Sequence, residues 1–458
     1  MTRDRWLDTD GVASALLARA GHWLMWCRKY QTLWAGYGFI CELKAADETR
    51  DDNGLGIPMI LKLVTRPPAG QDGAEGEEDE GHLRKMFSYQ VERHFYSSIA
   101  PRLRAEHGVA VAECIASTAG TPELDGPGAG EVKVNNSHNA SDESILDGVV
   151  AVLMTDLRVE FPVPGEKRSE LSERQVSATL DWLARFHGST WAQSRKEELT
   201  ELVLPPLQEF ERRKTRRGSG NGGQETVGGT NKLWLNGGYT YLATRRKEFS
   251  SLLDQLDDGE AEWAQALCRP LQRGATEGPC VAEMVAHVLT PRGDRDYETL
   301  IHGDVKSENL YTTSEHDRVA FFDFQYVGLG LGVCDLAKLF TCSVPLELLI
   351  GGGVDRSKAR AMIGHELSME KGEEALLREY HGLLLKEDAT AGAEGTRQYD
   401  WDLFVRHWET ALVDWHRFQV SWGQWGNVDW LEARVRAILR DEGWRMWLQA
   451  EYDKSKSS

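Results

Sequence analysis

An aspartate, an asparagine five residues later, and a carboxylate closing the apolar run that follows form a set of side chains suited to moving a phosphoryl group. They are Asp304, Asn309 and Asp323, carried by Ile301-His302-Gly303-Asp304-Val305-Lys306-Ser307-Glu308-Asn309-Leu310 and Val319-Ala320-Phe321-Phe322-Asp323-Phe324-Gln325. Phosphoryl transfer to a hydroxyl needs a carboxylate to take the hydroxyl proton and oxygen ligands to hold magnesium on the phosphates. On one short loop the Asp can face the acceptor while the Asn side-chain oxygen faces a metal. The apolar run reads as a buried strand that delivers Asp323 as a second metal ligand. Magnesium suits such a sparse set, one or two protein oxygens completed by phosphates and water.

The string resembles the catalytic loop and metal-binding strand of the protein-kinase-like superfamily, whose loop reads His-x-Asp-x-x-x-x-Asn. The resemblance implies that Asp304 is the catalytic base, that Asn309 and Asp323 bind magnesium and that His302 braces the loop. It also matches Lys306 to a lysine aimed at the transferred phosphate. Three departures separate this chain from protein kinases. Gly303 stands where they carry Arg, Gln325 stands where they carry Gly, and no Ala-Pro-Glu follows. Instead Gly328-Leu329-Gly330-Leu331-Gly332-Val333-Cys334-Asp335-Leu336-Ala337-Lys338-Leu339 leaves about a dozen residues between Asp323 and Asp335, where a protein kinase places its activation segment. His-Gly-Asp, Asp-Phe-Gln and Asp-Leu-Ala resemble the small-molecule kinases: the aminoglycoside phosphotransferase and choline kinase group, and especially its ecdysteroid kinase-like (CHK kinase-like) branch. By that resemblance Asp335 is a structural carboxylate tying the loop down. The fold implied is α+β and bilobal, with a small antiparallel-sheet N-lobe over about 1–155 and a larger, mostly helical C-lobe over about 156–458.

The elements that must position these groups follow upstream. Leu33-Trp34-Ala35-Gly36-Tyr37-Gly38-Phe39-Ile40-Cys41-Glu42-Leu43 reads as strand, glycine turn, strand, with Gly36 and Gly38 in a turn able to fold over phosphates, although glycines serve any tight hairpin. Met59-Ile60-Leu61-Lys62-Leu63-Val64 is an apolar strand with one cation, which must find an anionic partner or reach water. By resemblance Lys62 holds the ATP phosphates and Glu92, on a helix with apolar residues at Val91, Phe95 and Ile99, is its partner. Taken alone, Glu92 is equally an ordinary exposed helical acid. Val149 to Leu157 reads as a strand, and the resemblance makes the backbone of about Met154 to Asp156 the adenine-binding hinge. Ser172-Glu173-Arg174-Gln175 is a capping-box start, and the helix it opens carries Val176, Leu180, Leu183 and His187 on one face. His187 reads as a hydrogen-bonded core histidine.

Length favours two lobes for 458 residues. A net charge of -19 opposes non-specific binding to nucleic acid or anionic membrane. Polar, Gly-rich or charged stretches near 66–82, 117–144, 212–230 and 386–398 read as surface insertions. In the third, Arg212-Arg213-Lys214-Thr215-Arg216-Arg217 reads as a solvated linker or, alternatively, as a phosphate-binding or nuclear-import patch. Seven scattered cysteines without a Cys-x-x-Cys pair point to reduced thiols, and no apolar core of a signal peptide or spanning helix is apparent. A cytoplasmic location is expected. Trp401, Trp408, Trp415 and Trp422 recur every seven residues along one helical stripe. The stripe reads as a core seam or, with Asp414, Trp425 and Asn427, as a wall of the acceptor pocket.

Taken together, the sequence predicts an ATP- and Mg2+-dependent kinase acting on a hydroxyl of a small molecule, without nucleic acid, membrane or obligate protein partner. A protein kinase or a nucleotide-binding pseudokinase module is the alternative, and the acceptor is left open.

Overall fold

Alternation of inward apolar and outward polar residues builds the first sheet. Its strands are β1 (Trp23–Thr32), β2 (Gly38–Ala46), β3 (Ile57–Val64), β4 (Cys114–Ser117) and β5 (Val150–Thr155), antiparallel throughout in the order β1-β2-β3-β5-β4. Successive side chains point to opposite faces, so Leu61 and Leu63 enter a core with Leu43, Leu153 and, from helix Thr9–Arg19, Val12, Leu16 and Leu17. Lys62, between the two leucines, is delivered to the other face. This computed structural model describes residues 8–33, 36–47, 56–65, 79–118, 145–146, 149–194, 199–218, 232–271, 278–390 and 399–456.

The chain divides into two units, Met1–Glu160 with Pro206–Lys232, and Phe161–Pro205 with Leu233–Ser458. The excursion of Pro206–Lys232 back to the first unit was not foreseen from the sequence. Its helix Pro206–Gly218 sets Arg213 over the Phe87 ring, 4.4 Å from the centroid, and within 3.3 Å of Gln90 Oε1. Arg212 and Arg213 both pair with the buried Glu209. The start of the basic run is therefore helical and ion-paired, not a linker.

The acidic insertion is also shorter than expected. Residues 66–78 lie outside the described ones, but helix Glu80–His94 already begins inside the predicted stretch, because Asp79 accepts the His82 N–H at 2.8 Å. That bond satisfies one of the amides that a helix start leaves without an intrahelical partner. Most of the 117–144, 212–230 and 386–398 stretches also lies outside the described residues, although helix Lys371–Thr390 runs into the last of them.

The second unit is mostly helical. Five short strands, β6 (Val163–Pro164), β7 (Thr299–Ile301), β8 (Leu310–Thr312), β9 (Val319–Phe321) and β10 (Gly328–Gly330), form the small sheets β6-β8-β9 and β10-β7. Helix Glu173–Ser194 opens on the expected reciprocal cap: Ser172 Oγ accepts the Gln175 N–H at 3.3 Å and Gln175 Oε1 accepts the Ser172 N–H at 2.9 Å. It packs along Lys371–Thr390, while Trp401–Trp422 packs against Val281–Leu289, Gly332–Cys342 and Val428–Arg440.

The tryptophan stripe is core in its middle, while its first member, Trp401, is half-buried. Trp408 is fully buried and donates its indole N–H to Glu373 at 2.8 Å, and Glu373 in turn holds Arg434 at 2.9 Å. Trp415 is buried too, but Trp422 is 54% exposed. A seven-residue repeat drifts ~20° per heptad around a straight helix, and this one ends at Gly423, so the stripe leaves the core at its last member. The fold is thus α+β, with the small antiparallel sheet and the larger helical part of the protein-kinase-like class. Among the described residues no helix is long and apolar enough to cross a membrane.

Candidate active site

The loop that carries Asp304 follows β7 and is fixed by one buried carboxylate. Asp335, on helix Gly332–Cys342, accepts the N–H of His302 at 2.7 Å and of Gly303 at 2.9 Å, and lies 3.2 Å from His187 Nε2. His187 is the core histidine anticipated, its Nδ1 2.7 Å from the Tyr380 hydroxyl. Burial by itself would raise the Asp335 carboxyl. The His187 hydrogen bond and the nearby His187, His302 and Lys338 outweigh it and hold the group below its usual value.

Gly303 has a steric reason to replace arginine. At φ 83° its added Cβ would lie 2.5 Å from Tyr326 O and 2.6 Å from Gly238 N, so only glycine fits. His302 is buried, with Nε2 3.0 Å from Phe322 O and Nδ1 3.2 Å from Asp304 N. A carbonyl can only accept and an amide N–H only donate, so the ring is the Nε2–H tautomer. Burial lowers its pKa and keeps it neutral. It ties the strand before Asp323 to the residue Asp304.

One oxygen of Asp304 is held. Oδ2 accepts from Asn309 Nδ2 at 2.9 Å and sits 3.1 Å from Lys306 Nζ. Oδ1 has no hydrogen-bond partner among the described residues. Lys306 also pairs with Glu308 at 3.1 Å; burial opposes its charge, but the two carboxylates prevail and raise its pKa.

Asn309 Nδ2 also donates to Asp304 O at 2.8 Å. Both partners of that nitrogen are acceptors, which assigns the amide and leaves Oδ1 as the outward oxygen. The Phe322 N–H bonds Asn309 O at 3.0 Å, so the residue before Asp323 is laddered to Asn309. Asp323 itself is a non-glycine residue at φ 65°, a conformation costing roughly 1–3 kcal/mol and found at functional positions. Its Oδ1 accepts from Gln325 Nε2 at 2.7 Å. A side-chain amide oxygen and a carboxylate on laddered backbone fit a hard cation such as magnesium. The Gln325 contact was missed from the sequence, where Gln325 registered only as a departure from glycine.

In the first unit, Lys62 Nζ meets Glu92 Oε2 at 2.6 Å, with both side chains buried, and lies 5.6 Å from the centroid of the Tyr89 ring. Glu92 is therefore not an exposed helical acid. Gly36 turns the chain at φ 76° in open space, whereas a Cβ on Gly38 would come within 2.0 Å of Leu63 O. Gly38 is thus demanded by the hairpin's own approach to β3. Met154 is flanked on both sides by strands, in register with Ile60 and Cys114, so its backbone belongs to the sheet. Asp156 follows the strand end, capping the turn Leu157–Val159 through the Arg158 N–H at 3.0 Å and pairing with the Arg158 side chain at 2.7 Å. The backbone thus leaves the sheet at Asp156, the last residue of the stretch expected from the sequence.

The second unit also holds a cavity of about 200 Å³, lined by residues that include Thr240, Glu283, Lys338, Asp414 and Trp415. Asp414 and Trp415 belong to the alternative reading of the tryptophan stripe as a pocket wall, and both line this cavity. Asn427 was too, but it is structural, donating to Phe340 O at 3.2 Å and Val344 O at 2.8 Å. Trp425 stands edge-on to Trp415 at 5.5 Å and Phe418 at 6.1 Å.

A carboxylate with one oxygen pinned and the other without a partner among the described residues, followed by an amide and a second carboxylate on laddered backbone, suits a phosphotransferase of the protein-kinase-like class. The chain belongs to the phosphotransferase enzyme family, whose model matches residues 89–361. A comparison with curated proteins gives no match. Solved structures similar to it include a choline kinase from Cryptosporidium parvum Iowa II (9% identity, 94% of this chain and 89% of that one, TM-score 0.38). A macrolide 2'-phosphotransferase from Brachybacterium faecium (10%, 96% and 98%, 0.33) and an amicoumacin kinase in complex with AMP-PNP and Ca2+ (13%, 98% and 92%, 0.35) are similar at the same remove. The family match, not these distant likenesses, identifies the chain.

Proposed function

We propose that the protein is a cytoplasmic, ATP- and magnesium-dependent kinase that transfers the γ-phosphate to a hydroxyl of a small molecule. The observation that carries this is the state of Asp304: Oδ2 is fixed by Asn309 and Lys306, and Oδ1 is left to accept a proton. The acceptor oxygen attacks the γ-phosphorus as its proton passes to Asp304 Oδ1, the bond to the β-phosphate oxygen breaks, and ADP leaves. Lys62, positioned by Glu92, holds the nucleotide phosphates, and the backbone from Asp156 onward receives the adenine edge. Asn309 Oδ1 and the Asp323 carboxylate are the ligands for magnesium, whose charge offsets that of the phosphates when it is bound. Lys306 both orients Asp304 and carries positive charge beside the transfer site. Screening a metabolite library for ATP-dependent mass gain of one phosphate tests the reading. Failure of the protein to bind Mg-ATP at all would overturn it.

A further inference from the structure

Helix Gly332–Cys342 meets the loop of Asp304 with two charges, not one. Asp335 takes the N–H groups of His302 and Gly303 at 2.7 and 2.9 Å. One turn further along, Lys338 donates to Gly303 O, the carbonyl of the peptide that joins Gly303 to Asp304. The peptide units on both sides of Gly303 are thus gripped by one helix. Gly238, whose N–H bonds Tyr326 O at 2.9 Å, keeps room for the ammonium: at φ 95°, an added Cβ would lie 3.1 Å from Lys338 Nζ. The Tyr239 and Trp415 rings stand 5.3 and 5.9 Å from the same nitrogen.

Stability does not explain a lysine at this position. It is only 5% exposed, and Gly303 O is its one hydrogen-bond partner among the described residues, with no ion pair. An unpaired ammonium costs more to bury than a neutral donor does. Burial accordingly lowers the Lys338 pKa, while Asp335, Asp304 and Asp414 act against that shift. A hydroxyl or an amide would satisfy a buried carbonyl at less cost, but a charged donor makes the stronger bond. What the charge secures is a fixed peptide plane, next to the carboxylate that must face the acceptor.

Resting on the kinase reading above, we propose that Lys338 is a positioning residue of the transfer site: acting through Gly303 O, it fixes the Gly303–Asp304 peptide and so the direction in which the Asp304 carboxylate meets the acceptor hydroxyl. Asp335 holds the loop to the body of the second unit, and Lys338 sets the orientation of its reactive end.

ADP release from Mg-ATP, with water in place of the acceptor hydroxyl, tests this. Misplacing a reacting group by roughly 1 Å can cost about a hundredfold, so Lys338→Met and Lys338→Ala should lower kcat by about ten- to a hundredfold while KM for Mg-ATP holds. Lys338 lines the cavity of about 200 Å³, so its truncation to Ala opens a space that a small amine can enter. n-Propylammonium should restore kcat of Lys338→Ala in a saturable way, and tetramethylammonium, of equal charge but without an N–H, should not. Unchanged kcat in the variants, rescue by both cations or by neither, or a rise in KM that accounts for the whole loss would overturn the proposal. Amide hydrogen exchange over residues 302–310 reads the same clamp without turnover. It should be faster in Lys338→Met than in the wild type, and equal rates would overturn the proposal whether or not ATP is hydrolysed. A wild type that binds no Mg-ATP would instead sink the kinase reading, and the exchange rates would still judge the clamp.

Discussion

Removing the Asp335 carboxylate should destabilise the second unit by about 4 kcal/mol. In Asp335→Ala the amides of His302 and Gly303, bonded at 2.7 and 2.9 Å in a site with no solvent exposure, lose their acceptor. Each buried donor left unsatisfied costs ~1–3 kcal/mol, which gives roughly 2–6 kcal/mol for the two. His187 adds less, because it keeps the Tyr380 contact at 2.7 Å. A domain stability of ~5–15 kcal/mol leaves the variant folded but weakened, so urea titration followed by tryptophan fluorescence can read the difference. Since the Asp335 pKa is depressed in the fold, its contribution is fully present above the ordinary carboxylate value of ~4 and is lost as pH falls toward the folded value. The wild-type advantage over Asp335→Ala should therefore shrink in acid. A difference below ~1 kcal/mol at neutral pH, or one that grows on acidification, would refute the anchoring argument.

Asp323→Ala should remove the part of ATP affinity that depends on magnesium, so nucleotide titrations with and without the metal should coincide. Glu92→Ala leaves a buried lysine without its carboxylate, a change that costs ~3–5 kcal/mol at buried pairs; thermal unfolding should show it, together with a higher KM for ATP. Trp408→Ala should cost ~3–5 kcal/mol, whereas Trp422→Ala, at a site 54% exposed, should stay within ~1 kcal/mol; equal losses in denaturant would contradict the division of the stripe into core and surface.

The catalytic loop was legible because its chemistry is local. Asp304, Lys306 and Asn309 lie on one short segment, and the residue types alone limit what they can do. The Lys62–Glu92 pair was legible only through resemblance, since the acidic insertion lies between its members. Other features depend on distant backbone. The steric demand on Gly303 comes from Gly238 and Tyr326, and the return of Pro206–Lys232 to the first unit rests on contacts of its helix with Phe87 and Gln90. Neither has a sequence signature. Asp79 did have one, an acid just before a helical pattern, but it was hidden in a run of acids. Lys338 had one too: a single cation among Leu336, Ala337, Leu339 and Phe340, three residues after Asp335.

The central claim is that Asp304 acts on the acceptor and not on the nucleotide, and comparing Asp304→Asn with the wild type for both Mg-ATP affinity and turnover of an identified acceptor tests it most directly. General-base catalysis contributes ~10²–10⁴-fold, so turnover should fall by that factor while the dissociation constant for Mg-ATP stays within a few fold. Turnover near the wild-type rate would contradict the account.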